Sequence, residues 1–485
     1  MPPVVLAAGV AAVAALAVVV GALAVEAPGV VLLGVAGVAM LVAMLRPTIA
    51  VLAVVVVIYS NAAAVAVNFH GAPAIMAAAV PLLLLLPALY SVVRHSMVLT
   101  PTMPWLILLL LVHMVSALLS GSLADSTESI TAFGLEGILL FVLIVNSVRH
   151  HELMRRTVWA LVLTGAAMGA LSGLQQLTDS YYRSYFGFAQ IGDGAVTSES
   201  PDGAEVSKPR LAGPIGEKNY YAQYWLMLVP LGGYLAVSER RRLFRVAAMG
   251  ATALILIGIA ATFSRGGAVG LVIVVVALAL LGHVRLRHFG LVSVAIALTL
   301  LLAPDYVSRV TRITEVVTAE GEVDEAVEGR VGENTTAILA FFDHPVIGVG
   351  PGQFRFHYEA YARTIGADEH TGTRRAHSLY LSTAAELGVI GVVAMLGVLG
   401  STIRALWRSR RHWRARDPTR AQLPTAFLLS VISFMATAAF LDLSYARYFW
   451  LMLALAAAAA HMASPGRAGV TRPVRQAAAA SLRQR

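Results

Sequence analysis

Fourteen apolar runs separated by short polar breaks fill most of this 485-residue chain, and no other feature constrains its fold as much. A bilayer core about 30 Å thick is crossed by ~20 apolar residues in a helix, which satisfies its own backbone hydrogen bonds where no water can. The runs lie near 3–25, 29–45, 48–67, 73–92, 102–120, 131–147 and 157–176, then 219–237, 246–263, 267–282, 289–303, 379–403, 424–442 and 447–463. Composition agrees: 58% of residues are apolar and 13% charged, whereas about a quarter are charged in an ordinary soluble domain. The expectation is an all-α polytopic integral membrane protein of about 12–14 transmembrane helices.

Charge gives the chain a direction. The formal charge of +9 comes from 36 basic and 27 acidic residues, and Lys208 and Lys218 are the only lysines. Arginines cluster in alternate connections, at Arg149, Arg155 and Arg156, at Arg240 to Arg245, at Arg285 and Arg287, and from Arg404 to Arg420. Basic short loops stay cytoplasmic, so this reading puts those clusters and both termini inside. The first run lacks a basic leader and a clear cleavage signal and is read as a retained span. The positive balance is then a sidedness signal and gives no reason to invoke nucleic acid.

The same reading divides the chain into N-terminal helices 1–176, an extracytoplasmic loop 177–218, helices 219–303, a large extracytoplasmic loop 304–376, C-terminal helices 377–463 and a flexible cytoplasmic tail 464–485. The large loop carries 12 acidic against 7 basic residues. With no cysteine there is no disulfide, thiol nucleophile or thiolate metal site. Glu322 and Asp324 sit in an acidic run of the kind found in solvated loops, and His344, His357 and His370 lack zinc-ligand spacing.

Four polar clusters fall on the outer side. Arg210 opens the stretch Arg210-Leu-Ala-Gly-Pro-Ile-Gly-Glu-Lys-Asn219, and Arg265 occupies the turn Thr262-Phe-Ser-Arg-Gly-Gly267 between two apolar helices. The third cluster runs from Arg330 to the glycine-rich segment Asp343-His-Pro-Val-Ile-Gly-Val-Gly-Pro-Gly-Gln-Phe354. The fourth is Arg374-Arg375-Ala-His377-Ser378, with Gly388 and Gly391 following as the chain enters the membrane.

His377-Ser378, nine residues, Gly388, two residues and Gly391 resembles the signature of the O-antigen ligase family, a superfamily that includes O-antigen polymerases and protein O-oligosaccharyltransferases. The other three clusters are similar to the family's landmarks and follow its order, over about residues 205 to 400. Lys218 departs from the proline often found before the asparagine of the first landmark, and Ser378 from the more common asparagine. The resemblance implies a GT-C-like inner (plasma) membrane glycosyltransferase. It would move a glycan from an undecaprenyl-diphosphate carrier to an acceptor hydroxyl of a glycan, lipid or protein, on the extracytoplasmic face, without a metal or other cofactor.

Residue chemistry suits that reaction. A lipid diphosphate is a good leaving group that needs its charge neutralised, and guanidinium groups bind phosphate oxygens bidentately and remain protonated. Arg210 and Arg265 are assigned to the donor diphosphate, His377 to accepting the proton of the attacking hydroxyl. Arg330, Arg374, Arg375, Asn219 and Ser378 are secondary candidates. The bland alternatives are arginines snorkelling to headgroups and a capping histidine. On a continuous helix from His377, the small residues Ala384, Gly388 and Gly391 would form one strip beneath the imidazole, with Glu386 on the opposite face. Asp442 and Arg447 read as a structural ion pair. The rival functions are a polymerase of the same family and a lipid-linked glycan transporter, which would place ionisable groups at mid-membrane.

Overall fold

The computed structural model describes residues 46–199, 205–281, 325–366, 374–442 and 447–464. The runs at 3–25, 29–45 and 289–303, the acidic pair Glu322 and Asp324, His370 and the tail after 464 lie outside these residues. Each of the other apolar runs coincides with helix. The first part comprises α1 (Pro47–Tyr59), α2 (Ala62–His70), α3 (Ala74–Ala79), α4 (Leu85–His95), α5 (Met103–Leu119), α6 (Leu123–Ala132), α7 (Leu140–Ser147) and α8 (His151–Thr178). A π-helical stretch, Phe133–Leu139, joins α6 to α7 as one long helix.

A β-hairpin of β1 (Gln190–Glu199) and β2 (Glu205–Gly213) then interrupts the helical pattern, where only a polar loop is expected from sequence. Beyond it come α9 (Lys218–Leu226), α10 (Leu228–Ser238), α11 (Arg242–Ala261) and α12 (Arg265–Leu280). The last group is α13 (Glu325–Asp343), α14 (Phe354–Thr364), α15 (Leu379–Arg414), α16 (Pro418–Thr437) and α17 (Arg447–Met462).

Among the described residues, four helices are long and apolar enough to cross a membrane, and α1 with α2, bent by 56°, supplies a fifth if the pair is one span. The chain is thus a mostly helical polytopic membrane protein, in which several expected spans are shorter or broken. Proline explains one break: Pro81 has no N–H to give, and the run at 73–92 passes through a 3₁₀ turn at Val80–Leu84.

The helices run between two chemically distinct ends. At one, Arg155 forks onto both carboxylate oxygens of Glu239 at 2.9 and 2.8 Å, Trp159 donates to the same carboxylate at 2.8 Å, and Arg410 donates to the Leu281 carbonyl at 2.9 Å. His151 lies within electrostatic reach of Arg420. The arginine-rich connections at 149–156, 240–245 and 404–420 therefore gather together, while Arg285 and Arg287 lie outside the described residues. From that end α11, 20 residues or about 30 Å long, leads to Thr262 and Arg265. In α15 the direction is reversed, from His377 just before its first residue to the arginines of its last turns.

A polar junction replaces the strip of small residues expected under His377. The helix starts at Leu379 and breaks at Gly388, whose φ of 63° and ψ of −166° are non-helical. Into the break the glycine-rich segment inserts its backbone: Val349 and Gly350 N–H donate to the carbonyls of Ala385 and Glu386 at 2.9 and 3.0 Å, and Val389 N–H donates to Pro345 at 2.8 Å. A Cβ on Gly388 would sit 2.3 Å from the Val346 carbonyl carbon, and one on Gly348 2.2 Å from that of Glu386. Only glycine permits this approach. The Glu386 carboxylate accepts from Gly352 N–H at 2.8 Å, and the Ser116 hydroxyl of α5 reaches the Ile347 and Glu386 carbonyls at 2.7 and 3.0 Å. Freed backbone groups are thus satisfied by protein, the condition for irregular backbone at membrane depth.

Candidate active site

The Ser264–Arg265 turn is built from behind. Phe263 adopts a left-handed φ of 49°, ending α11 and turning the chain into α12, where the Ser264 hydroxyl accepts from Gly267 N–H as the cap. Arg210, buried on β2, braces this turn: Nε donates to the Thr262 carbonyl at 3.0 Å, and a terminal nitrogen reaches the Phe263 carbonyl at 3.2 Å and Asn219 Oδ1 at 3.4 Å. Ser264 Oγ donates to the same Asn219 oxygen at 2.9 Å. Asn219 is held in turn by Glu217, which accepts from its Nδ2 and caps α9 through Tyr220 N–H. The first two sequence clusters are therefore one hydrogen-bonded unit.

In front of the turn lies a cavity of about 130 Å³ lined by Asn219, Ser264, Arg265, Gly266, Val269, Arg330, Phe440 and Leu441. Two guanidinium-bearing residues, Arg265 and Arg330, come from different helices, and Val269, Phe440 and Leu441 supply an apolar wall. Arg210, expected beside Arg265, is not among the lining residues; its guanidinium is engaged with the backbone behind them.

One turn beyond Arg330 on α13, at the i+3 position, stands Glu333. Its carboxylate is 5% exposed and bridges two partners, the His377 Nδ1 on one oxygen and Arg374 at 3.0 Å on the other. Burial alone would push the Glu333 carboxyl up, yet the His377 and Arg374 partners hold it below the usual carboxylate range. The sequence gives little sign of Glu333: a glutamate in an acidic loop is ordinarily solvated, and only its helical spacing from Arg330 singles it out. Arg374 points to this carboxylate. Arg375 is exposed and Ser378 is buried at the start of α15, without a side-chain capping bond.

His377 and the cavity are tied by a second route. Leu379 N–H donates to the carbonyls of Ala438 and Leu441 at 2.9 and 3.0 Å, so the segment carrying His377 is joined to the strip that forms the apolar wall. The phenol of Tyr220 lies within electrostatic reach of Asp442, Glu217, Arg375 and Glu333. Asp442 accepts from Ser382 at 3.1 Å, and Arg447 approaches Glu136 at 4.0 Å, so both residues expected as an ion pair have other contacts.

The described residues thus bring a cationic, half-apolar cavity within one helical turn of the residue that contacts the His377 imidazole. Residues 250–396 match the family model described as O-Antigen ligase, the family that the chain's motifs resemble. The match takes in Arg265, Arg330, Glu333 and His377 and the glycine junction; Arg210 and Asn219 lie upstream of it. No curated protein matches the chain.

Proposed function

We propose that this protein transfers a glycan from an undecaprenyl-diphosphate carrier to an acceptor hydroxyl at the extracytoplasmic surface of the inner membrane. The observation that carries the reading is the cavity in which Arg265 and Arg330 face one space with Val269, Phe440 and Leu441, one helical turn from the residue that holds His377. A lipid diphosphate has both characters: an anion for the guanidinium groups and an isoprenoid for the apolar wall. Arg210 supports the anion site by fixing the backbone from which Arg265 projects, and Asn219 offers its amide at the same rim.

In the step proposed, the acceptor oxygen attacks the anomeric carbon as its proton passes to His377, and the bond from that carbon to the carrier diphosphate breaks. The carrier leaves as undecaprenyl diphosphate and the anomeric configuration inverts. Charge developing on the departing phosphate is met by preorganised guanidinium groups, the task a divalent cation performs elsewhere. Transfer should therefore persist in excess EDTA, and a loss of activity restored by added Mg²⁺ would contradict the arginine assignment.

Labelled lipid-linked donor incubated with purified protein and separate acceptors tests the whole reading. One discrete adduct indicates ligation, a ladder indicates polymerisation, and movement of label across a proteoliposome without covalent product would remove the transferase reading. Arg265→Ala and Arg330→Ala should each weaken donor binding by about 10-fold or more, the scale of a lost charge-assisted contact.

A further inference from the structure

We propose that Glu333 is the positioning residue for His377: it accepts the Nδ1 proton, leaves Nε2 as the nitrogen that meets the acceptor hydroxyl, and shares its own charge with Arg374. The inference rests on reading His377 as the base, and goes beyond it in assigning tautomer, orientation and tuning.

A carboxylate with 5% exposure is costly to bury unless both oxygens are paired, and here each has a different partner. An ionised carboxylate can only accept, so the His377 nitrogen facing it must carry the proton. The neutral imidazole then has one basic nitrogen, Nε2, on the side of the ring away from α13. His377 is 38% exposed, open enough for a substrate to reach. Because Glu333 lies three residues after Arg330, about 4.5 Å along the helix axis, the same rigid helix carries the cavity arginine and the carboxylate that holds the imidazole.

Several other groups bear on this pair. Arg374 and Arg375 lie on the histidine's own segment, Tyr358 of α14 is close to Glu333 and Arg374, and Tyr220 of α9 is close to Glu333, Arg375 and Asp442. Arg374 is the cation in direct contact with the carboxylate. Its positive charge offsets part of the carboxylate's charge where the imidazole meets it.

The two partners should therefore act with opposite sign on the pH dependence of transfer. In Glu333→Gln the imidazolium loses its counter-charge, so the acid limb of the kcat profile should move to lower pH by about half a unit to one unit. The plateau should fall ~10–100-fold as the ring loses its fixed tautomer. In Arg374→Gln the acid limb should move to higher pH, and Glu333→Asp should recover part of the plateau. Donor KM should stay within about two-fold in Glu333→Gln, which also reports that the site is folded.

An ion pair that merely fastens residues 374–378 to α13 would lower thermal stability and move neither limb, and that result overturns the proposal. If Glu333→Gln keeps the wild-type profile while His377→Ala is inactive, the positioning role falls and the base assignment stands. Normal turnover by His377→Ala would instead remove the base reading itself.

Discussion

Arg210 shows how a residue type can be legible while its task is not. From sequence it is an arginine in an outer loop near a membrane surface, equally suited to a phosphate or a backbone carbonyl. Folding chose the carbonyls, because the β-hairpin places it behind the α11–α12 turn, where Thr262 and Phe263 have carbonyls to satisfy. On the proposed reading, its effect on a donor would pass through Arg265. Arg210→Lys keeps the charge and loses the planar fork that serves several acceptors at once. Donor KM should rise about 10-fold in this variant, accompanied by a lower melting temperature, whereas Arg265→Lys should raise KM with stability unchanged. Donor titration alongside thermal unfolding in detergent separates the two; equal stability in both variants would place Arg210 in the ligand site directly.

Among the elements, α15 departs furthest from expectation. Its apolar run, its start near Leu379 and its basic end are readable from the sequence, but the break at Gly388 is not, since glycine is common in membrane helices and its presence alone does not signal a left-handed φ. The break exists because another backbone occupies it. Gly388→Ala adds a Cβ at φ 63° and 2.3 Å from Val346, and strain of this kind costs on the order of 1–3 kcal/mol. Gly348→Ala meets the same junction from the other side, so the double variant should be destabilised by less than the sum of the two, since either substitution already forces the segments apart. Full additivity in unfolding measurements would mean that the two glycines serve separate structures.

Across the whole molecule, the arginine connections collect at one end and the candidate site at the other. The positive-inside rule predicts that the arginine end is cytoplasmic, and the absence of cysteine from the sequence makes this directly testable. Ala360→Cys on α14 should react with a membrane-impermeant maleimide in intact cells, while Arg411→Cys should react only after permeabilisation; the reverse pattern would turn the enzyme over. The Arg155–Glu239 clamp at that end has a pH signature. Its partner arginine holds the Glu239 carboxyl below the ordinary range, so its contribution is present above an unfolded value of about 4.3 and fades as pH falls through the lower folded one. Glu239→Gln should lower the melting temperature near neutrality and lose part of the wild type's acid sensitivity below about pH 4.5, checked by melting curves across pH.

The sequence alone determined the class and the identity of the polar clusters, and it supplies an expected direction. Hydropathy over a helix length depends only on residues close in the chain, and loop charge needs no tertiary contact to be counted. Arg265, His377 and their glycines were readable for the same reason, as local spacings within single segments. Tertiary structure decided which groups share a cavity, that Glu333 meets His377 across 44 residues of chain, and that Gly348 and Gly388 press two backbones together. Those outcomes depend on burial and on hydrogen bonds between distant segments, whose energies exist only once the helices have packed.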